Sequence, residues 1–314
     1  MVLAIAGGAL QGLEAVYLAR KAGFETLLLD RKRDAPATGI CHRFVLLDLM
    51  DHDALSRTLG SVDMVLPATE NPQAIGSLVA WCSKNRIPLA FDPDAHSVSS
   101  SKLESDGLFR RLGFPAPRPW PHCAFPVLGK PDFGSGSRGV EVFPDPQALE
   151  RRFGSHVPAG WVLQEYLEGP SFSIEIIGCP GAYTTLQVTD LEMAPNYDCK
   201  RVSAPSTLPL ELVQELEGMA LAVAEELNLS GIMDLEVVLH EGRLKVLEID
   251  ARFPSQTPAV VYHSTGINMV ERLVGAFFTR NPAVSGRGGN QAIRGAVLEH
   301  IRCAQGRLSV GGEG

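Results

Sequence analysis

The sequence predicts an α/β fold in which a doubly wound parallel-sheet domain precedes two lobes of antiparallel strands and helices. Before residue 97, apolar strands alternate with amphipathic helices, a pattern typical of βαβ units in a parallel sheet. After a proline-rich break at 115–119, short strands are separated by glycine and proline turns, which favours antiparallel pairing. We therefore expect domains at 1–97, 98–177 and 178–314.

Length and charge narrow the class of protein. A chain of 314 residues with 45% hydrophobic and 20% charged residues is an ordinary globular sequence of more than one domain. Its formal net charge of −8 and the lack of a basic stripe argue against nucleic-acid binding. No apolar run reaches the eighteen or so residues of a membrane helix, and the short apolar start lacks the basic region of a signal peptide. We expect no membrane partner.

Cysteine usage points to a reducing compartment. The six cysteines are scattered and form no C-x-x-C pair. That arrangement is typical of reduced thiols and predicts a cytoplasmic protein. The eight histidines show no ligand spacing such as H-x-x-x-H, so we assign them no metal role.

The first domain begins with an apolar strand at 2–6, a glycine turn at 7–12 and a helix at 11–22. A second strand at 25–30 follows directly, and this order predicts a right-handed βαβ unit. The same alternation continues with strands at 43–48, 64–67 and 88–91 and helices near 51–59 and 72–85.

The glycine turn leaves its ligand open. Gly-Gly-x-x-x-Gly differs from the G-x-G-x-x-G of dinucleotide-binding folds. Asp30 ends the second strand, where a ribose-binding acid would lie, and Asp48 ends the third strand, so both are kept as candidate nucleotide-binding residues. The alternatives are a turn that serves another ligand and a turn that only packs.

A lysine and a glycine-rich loop follow the linker. A helix is expected to open with Ser99-Ser-Ser-Lys102 and to run to Leu112, and a strand at 127–131 carries Lys130. The next loop, Asp-Phe-Gly-Ser-Gly-Ser-Arg-Gly at 132–139, has small residues whose N–H groups can approach phosphate oxygens closely. Lys130 can add charge to the same anion, although it precedes the glycines and so is not a Walker lysine. A flexible hairpin loop is the alternative.

A short hinge at 164–170 reads Gln-Glu-Tyr-Leu-Glu-Gly-Pro. A strand that leaves through such a hinge can present backbone groups to an adenine edge, with Tyr166 and Leu167 flanking it. By itself, this stretch indicates no function.

Two acid-bearing strands flank His-Glu-Gly-Arg at 240–243 and are expected to form a hairpin. An odd loop centred on the glycine would place Glu236 opposite Glu248 and Asp234 opposite Asp250. Opposed carboxylates lie about 5 Å apart and repel. Either some are protonated or a cation holds them together, and Mg²⁺ carrying substrate phosphates suits such oxygen ligands. The alternative is a solvated charged face.

The order of these motifs resembles the ATP-grasp ligases over nearly the whole chain. The resemblance implies an ATP-grasp fold that clamps ATP between two antiparallel lobes, phosphorylates a carboxylate and lets an amine attack the acyl phosphate. It implies Mg²⁺ ligation by Glu236, Glu248 and Asp250 and catalytic roles for Lys130 and Arg252, the latter stabilising the acyl phosphate. It implies ATP binding by nine residues: Lys102, Lys130, Ser135, Gly136, Ser137, Gln164, Glu165, Tyr166 and Leu167.

Two departures from the family pattern stand out. The third metal ligand is usually Asn, whereas this chain has Asp250. The acid that usually binds the ribose would fall at Pro170 or Ser171, which leaves that role to Glu168.

Four stretches narrow the resemblance: Gly231-Ile-Met-Asp-Leu-Glu236, Leu247-Glu-Ile-Asp-Ala-Arg-Phe-Pro-Ser-Gln-Thr-Pro258, Asn196-Tyr-Asp-Cys199 and Thr69-Glu-Asn71. They resemble the 3-methylornithine–L-lysine ligases of pyrrolysine biosynthesis, which join the carboxylate of 3-methyl-D-ornithine to the ε-amine of L-lysine. The implied lysine pocket consists of Leu10, Gln11, Glu70 and Glu299. The implied methylornithine pocket consists of Ser137, Glu168, Asp234, Arg252, Ser255 and Thr257. The resemblance also allows a homodimer.

Three rival functions remain at this point. Another ATP-grasp ligase, which joins different amino acids or carboxylates a purine intermediate, would keep the lysines and the metal carboxylates but lose the amine pockets. A nicotinamide oxidoreductase would use the N-terminal turn and leave the acidic hairpin unexplained. A noncatalytic amino-acid-binding protein on the same fold would bind without ATP turnover, which the intact set of lysines and carboxylates disfavours.

Overall fold

The computed structural model describes residues 1–134, 136–279 and 293–310. The N-terminal domain alternates strands and helices as follows: β1 (Val2–Ala6), α1 (Leu10–Lys21), β2 (Glu25–Asp30), β3 (Arg43–Leu46), α2 (His52–Thr58), β4 (Met64–Pro67) and α3 (Pro72–Asn85). Its four strands pair in parallel in the order β3-β2-β1-β4. Leu3, Ile5 and Leu28 are fully buried, as a sheet covered on both faces requires. The predicted doubly wound domain is confirmed.

The strand expected at 88–91 is wrong. Only Leu89 forms a bridge there, parallel to Val65 of β4. Pro88 cannot donate to a sheet ladder, and the chain turns within three residues into the next helix, for which the Asp92 side chain accepts hydrogen bonds from the N–H groups of Asp94 and Ala95.

Two short helices form the linker, α4 (Pro93–Ser100) and α5 (Lys102–Leu112). The Ser101 hydroxyl accepts from the N–H of Glu104 and so begins α5 at the predicted lysine. Gly113, at φ 70°, ends α5 in the left-handed conformation. The sequence analysis missed α4 because its eight residues carry no apolar stripe.

The small lobe is a three-stranded antiparallel sheet with one helix. Its elements are β5 (Val127–Pro131), β6 (Glu141–Phe143), α6 (Pro146–Phe153) and β7 (Trp161–Glu165), with β5 in the centre. Val127 and Gly129 face the Phe143 ring, and a Cβ on Gly129 would lie only 2.7 Å from that ring. Because side chains alternate along a strand, Lys130 points to the opposite face.

The large lobe is a seven-stranded sheet backed by helices. Its elements are β8 (Ser171–Cys179), β9 (Ala182–Thr185), β10 (Thr189–Met193), β11 (Cys199–Ala204), α7 (Leu210–Glu226), β12 (Gly231–His240), β13 (Arg243–Asp250), α8 (Thr257–Thr265), α9 (Met269–Thr279) and β14 (Ala296–Glu299). The strand order is β13-β12-β8-β10-β11-β14, with β9 beside β8, and all pairs are antiparallel. A small hairpin, β15 (Ile301–Ala304) and β16 (Arg307–Val310), follows.

The boundary expected between residues 177 and 178 falls inside β8, which pairs with β12 along most of its length. We therefore place the change of lobe at the hinge, between β7 and β8. Gly169 fits that position, since its φ is 153° and a Cβ there would lie 2.1 Å from the carbonyl oxygen of Leu239.

The N-terminal domain and the large lobe share one hydrophobic core. Val16 of α1 and Ile5 of β1 belong to the same buried cluster as Ile177, Phe253 and Val270 of the large lobe. This shared core fixes the end of the parallel sheet against the loop that follows β13. Among the residues described, no helix is long and apolar enough to cross a membrane.

Candidate active site

The hairpin of β12 and β13 sets the register of the acids. His240 pairs with Arg243, so the loop has two residues, Glu241 and Gly242, at φ 49° and 75°. The predicted odd loop is therefore wrong, because the loop has an even number of residues. Both central residues adopt the positive φ of a type I′ turn. If this register continued along the hairpin without a shift, Glu236 would pair with Leu247 instead of Glu248.

A β-bulge restores the predicted pairing. The register shifts between Glu236 and Val237, so Leu247 is skipped and Glu236 lies opposite Glu248. Asp234 then lies opposite Asp250, as predicted.

A third strand extends both pairs. On the other side of β12, Glu175 of β8 lies opposite Asp234, and Ser173 lies opposite Glu236. Glu175 is fully buried, and neither of its carboxylate oxygens has a hydrogen-bond partner among the described residues. The sequence analysis did not select Glu175, although Ser-Phe-Ser-Ile-Glu places polar residues at alternate positions of the strand.

The crowding of like charges shifts the pKa values of these acids. Burial and the facing Glu248 raise the pKa of Glu236 to about 8. Burial, with the charges of Asp250 and Glu236, raises the pKa of Asp234 well above its ordinary range. Burial raises the pKa of Asp250 to about 6, although Arg252 opposes that rise. Burial raises the pKa of Glu175 to about 7.

Two cations of the chain reach the edge of this acidic row. Lys102 Nζ lies 3.3 Å from Glu248 Oε1 and donates to the Gly134 carbonyl at 2.8 Å. An Arg252 guanidinium nitrogen lies 2.7 Å from Asp250 Oδ2 and 2.8 Å from Glu70 Oε1.

The charge of Arg252 is secure. Burial lowers the pKa of Arg252, but the charges of Asp250 and Glu70 raise it by a larger amount. The net shift is therefore upward, and the guanidinium stays charged. Since Glu70 follows β4, this contact also ties the N-terminal domain to the large lobe.

These side chains line one cleft of about 320 Å³ where the N-terminal domain, linker and both lobes meet. Twelve predicted residues line it: Glu70, Lys102, Lys130, Gly136, Ser137, Asp234, Glu236, Glu248, Asp250, Arg252, Ser255 and Thr257. Unpredicted lining residues include Arg138, Tyr197, Asp198 and Gln256. Ser135 lies outside the described residues.

Comparison with known proteins gives the family. The sequence pattern of the ATP-grasp domain matches residues 99–256. The 3-methyl-D-ornithine–L-lysine ligases of Methanosarcina mazei and Methanosarcina barkeri are each 34% identical over 276 residues, which covers 88% of this chain and 71% and 73% of those proteins. The chain belongs to the ATP-grasp family. The predicted class of enzyme, an ATP-dependent ligase that joins a carboxylate to an amine, is confirmed.

Solved structures confirm the ATP-grasp fold. N5-carboxyaminoimidazole synthetase of Staphylococcus aureus in complex with ADP superimposes with a TM-score of 0.77 at 16% identity, covering 95% of this chain and 81% of that one. Biotin carboxylase of Campylobacter jejuni gives 0.79 at 15% identity, covering 96% and 75%. At such identities the likeness extends to the fold alone.

The glycine-rich loop of the ATP-grasp small lobe spans the cleft. Gly136 and Ser137 have φ values of 62° and 54°, so consecutive residues adopt the left-handed conformation. The Ser137 hydroxyl donates to the Tyr197 carbonyl at 2.6 Å, which fastens this loop to the large lobe.

The hinge residues lie beside the cleft instead of lining it. The Glu165 carboxylate accepts from Arg118 at 2.9 Å and from Lys245 at 2.7 Å. Burial raises the pKa of Glu165, but these bonds outweigh burial and lower it to about 2.

The other hinge residues show how the hinge meets the large lobe. Gln164 is buried, Leu167 is partly exposed, and the Tyr166 ring lies edge-on to Tyr197 at 6.4 Å between centroids. Glu168 is exposed, and its carbonyl lies 2.9 Å from His240 Nδ1.

Five other predicted residues lie outside the cleft lining among the described residues. Asp30 accepts from the N–H of Lys32 at 2.7 Å in its own turn and from the N–H of Gly8 at 2.6 Å, which joins the glycine turn after β1 to the end of β2. Asp48 accepts from the N–H of Met50 at 3.0 Å and closes its own turn. Leu10 and Gln11 open α1, and Glu299 is paired with Arg201.

The acidic row fits a hard divalent cation in its chemistry. Glu236, Glu248 and Asp250 offer carboxylate oxygens, which Mg²⁺ prefers, and like charges that face one another across the hairpin favour a cation between them. As the side chains stand, no group of three or more His, Cys, Asp or Glu within the described ranges is already gathered around one point. Lys102 and Arg252 instead contact two of these carboxylates.

Proposed function

We propose that this ATP-grasp enzyme joins the carboxylate of 3-methyl-D-ornithine to the ε-amine of L-lysine and releases ADP and phosphate. The observation that carries the proposal is the 34% identity to ligases of that name over 88% of the chain. The cleft supports it, because its acids offer counter-charges to two cationic amino acids.

The phosphate side of the cleft consists of Lys102, Lys130 and the loop that carries Gly136 and Ser137. The two lysines would hold the ATP phosphates, and the loop would cover them with backbone N–H groups. Glu236, Glu248 and Asp250 would hold Mg²⁺, which neutralises phosphate charge and orients the γ-phosphoryl group.

Arg252 is placed to stabilise the acyl phosphate. Its charged guanidinium lies at the edge of the row and stays charged at physiological pH. A fixed cation at this point favours the transition state, in which negative charge develops on the transferred phosphoryl group.

Asp234 is our candidate for accepting the proton of the attacking amine. The ε-ammonium of lysine is protonated near pH 7 and must lose a proton before it attacks. Asp234 lines the cleft, and its raised pKa makes it a better base than an ordinary carboxylate.

ADP release is the direct test. The enzyme is given MgATP with L-lysine plus D-ornithine or 3-methyl-D-ornithine, with each amino acid alone, and with other diamino-acid pairs. We expect ADP and a new amide, seen by mass spectrometry, only with the proposed pairs. If none of the diamino-acid pairs leads to ADP release, the proposal is refuted.

Oxygen labelling tests the intermediate. If ¹⁸O-labelled ornithine is phosphorylated on its carboxylate, one ¹⁸O leaves in the phosphate when the amine attacks. Unlabelled phosphate together with labelled amide would exclude an acyl phosphate.

We also propose a cytoplasmic homodimer. The six cysteines are free thiols, which suits a reducing compartment. Ile301 and Val310 pair across the β15–β16 hairpin on one face and are 62% and 48% exposed, an apolar surface that a second copy would cover. Light scattering measures the molar mass of wild type and of Ile301→Asp. We expect a dimer for wild type and a monomer for the variant, and a monomeric wild type would refute the dimer.

A further inference from the structure

A strained turn lies in the wall of the cleft. Gln256 has φ 71° and ψ −54°, and the N–H of Thr257 donates to the Ser255 carbonyl at 2.9 Å. These values define a γ-turn with positive φ at its centre, a rare and strained conformation for a residue with a side chain. The residues on either side of Gln256, Ser255 and Thr257, both line the cleft.

The N-terminal domain holds this turn through Glu14 of α1. Glu14 Oε1 accepts from the N–H of Gln256 at 2.7 Å, and Oε2 accepts from the N–H of Ala259 at 3.2 Å. Glu14 is only 8% exposed. Both N–H groups lie at the start of α8, where a carboxylate is also favoured by the helix dipole.

One face of α1 holds the loop on both sides of the turn. Gln11 lies three residues before Glu14, on the same face of the helix. Its side-chain amide donates to the Phe253 carbonyl. The N-terminal domain therefore grips the loop before and after the strained residue.

The large lobe makes its own contact with the turn. The Gln256 side-chain amide donates to the Cys199 carbonyl at 3.2 Å, and Gln256 is 4% exposed. That bond acts on the side chain, whereas Glu14 binds the main-chain N–H of the strained residue itself.

Asn268 provides a matched comparison. Its side chain donates to the Leu18 carbonyl of α1 at 2.8 Å and accepts from the N–H of Glu271 at 3.1 Å, so it also joins α1 to a helix start of the large lobe. Asn268 binds a main-chain N–H at the start of α9, whereas Glu14 binds the main-chain N–H of the γ-turn.

We propose that Glu14 is a positioning residue: its carboxylate holds the γ-turn so that Ser255 and Thr257 face the amino-acid substrate. The N-terminal domain thereby sets the affinity of a pocket through a wall that belongs to the large lobe. The kinetic part of this inference rests on the proposed function, since it takes the 252–257 loop as a substrate wall.

Amide hydrogen exchange tests the structural part in the substrate-free full chain. In Glu14→Ala, exchange of the peptide covering 253–260 accelerates about tenfold or more, because a charge-assisted restraint is lost. In Asn268→Ala, that peptide exchanges as in wild type while the start of α9 exchanges faster. Equal exchange of 253–260 in wild type and Glu14→Ala would overturn the proposal, whatever the substrates prove to be.

Kinetics test the functional part. Glu14→Ala raises KM for the ornithine substrate about tenfold and leaves KM for ATP within about twofold. Glu14→Gln, which keeps one acceptor oxygen, lies between wild type and Glu14→Ala. Asn268→Ala lowers the unfolding temperature without this split. If KM for ornithine and ATP rise together in both Ala variants, Glu14 is only a structural contact and the proposal fails.

A double-mutant cycle tests the strain. Glycine adopts the positive φ of Gln256 without the steric strain that a side chain causes, so Gln256→Gly removes the strain that Glu14 opposes. The effect of Glu14→Ala on KM is therefore smaller in the Gln256→Gly background than in wild type. An equal effect in both backgrounds would contradict the restraint of a strained turn. If wild type releases no ADP with the proposed pairs, the proposed function fails, and hydrogen exchange alone decides the role of Glu14.

Discussion

Glu165 of β7 is buried and Glu236 of β12 is half-buried, yet their pKa values are shifted in opposite directions. Glu165 is held by Arg118 and Lys245, and these bonds outweigh burial and lower its pKa to about 2. Glu236 faces Glu248, and burial with that charge raises its pKa to about 8. Glu165 is paired directly with two cations, whereas the charges of Arg252 and Lys130 do not offset the burial and the like charges around Glu236.

The difference separates a structural acid from a functional one. A buried acid paired with cations links elements, here the hinge and β13. A buried acid set against like charges destabilises the folded chain until a ligand brings positive charge. We therefore propose that Glu236, which lines the cleft, is a site residue and that Glu165, which lies beside the cleft, supports the hinge.

The largest expected effect would follow removal of charge from the acidic row. Glu236→Gln lowers kcat for ADP release about 100-fold or more, because the Mg²⁺ that we propose Glu236 holds loses a ligand. The variant folds at least as stably as wild type at pH 8 without ligands, because repulsion across the hairpin is relieved. ADP release and thermal unfolding measure the two effects. An active Glu236→Gln would remove Glu236 from the site.

The pH dependence of stability comes next in size and tests Glu175. Its folded-state pKa of about 7 exceeds the ordinary 4.5, so the folded chain holds a proton that the unfolded chain releases between those values. The stability contribution is complete below pH 4.5 and is lost as the pH rises through 7. Glu175→Gln stays neutral and is therefore more stable than wild type at pH 8 by about 2–3 kcal/mol.

Thermal unfolding at pH 5 and pH 8 measures this difference. At pH 5 the two proteins unfold at similar temperatures, and at pH 8 the variant gains several degrees. Glu215→Gln on the exposed face of α7 is the control and changes neither value. A variant no more stable at pH 8 than wild type would mean that Glu175 is solvated or paired.

The acidic pairs could be predicted because alternation along a strand is a local property. Glu-Ile-Asp and Asp-Leu-Glu place their acids on one face of each strand, and the hairpin register brings the two faces together. The bulge that achieves this register could not be predicted, since Val-Leu-Glu contains no glycine or other signal for an extra residue at Leu247.

Contacts between distant segments were beyond sequence reasoning. Glu14 and Gln256 are 242 residues apart, and only the packing of α1 on the large lobe joins them. Glu165 was selected for nucleotide binding on the hinge motif, while its carboxylate partners, Arg118 and Lys245, are 47 and 80 residues away. A motif indicates which elements form a site, but not how each side chain is used.

The smallest expected effect is that of Glu165→Gln, which tests whether Glu165 only supports the hinge. Glu165→Gln keeps the shape of the side chain and removes the charge from its two ion pairs. Because the Arg118 side chain is 63% exposed, the loss of stability is smaller than for a fully buried pair. If Glu165 only supports the hinge, kcat stays within about threefold of wild type, and KM for ATP rises modestly as the hinge loosens against β13. A fall in kcat as large as that of Glu236→Gln, at unchanged stability, would place Glu165 in the reaction and end the distinction between the two acids.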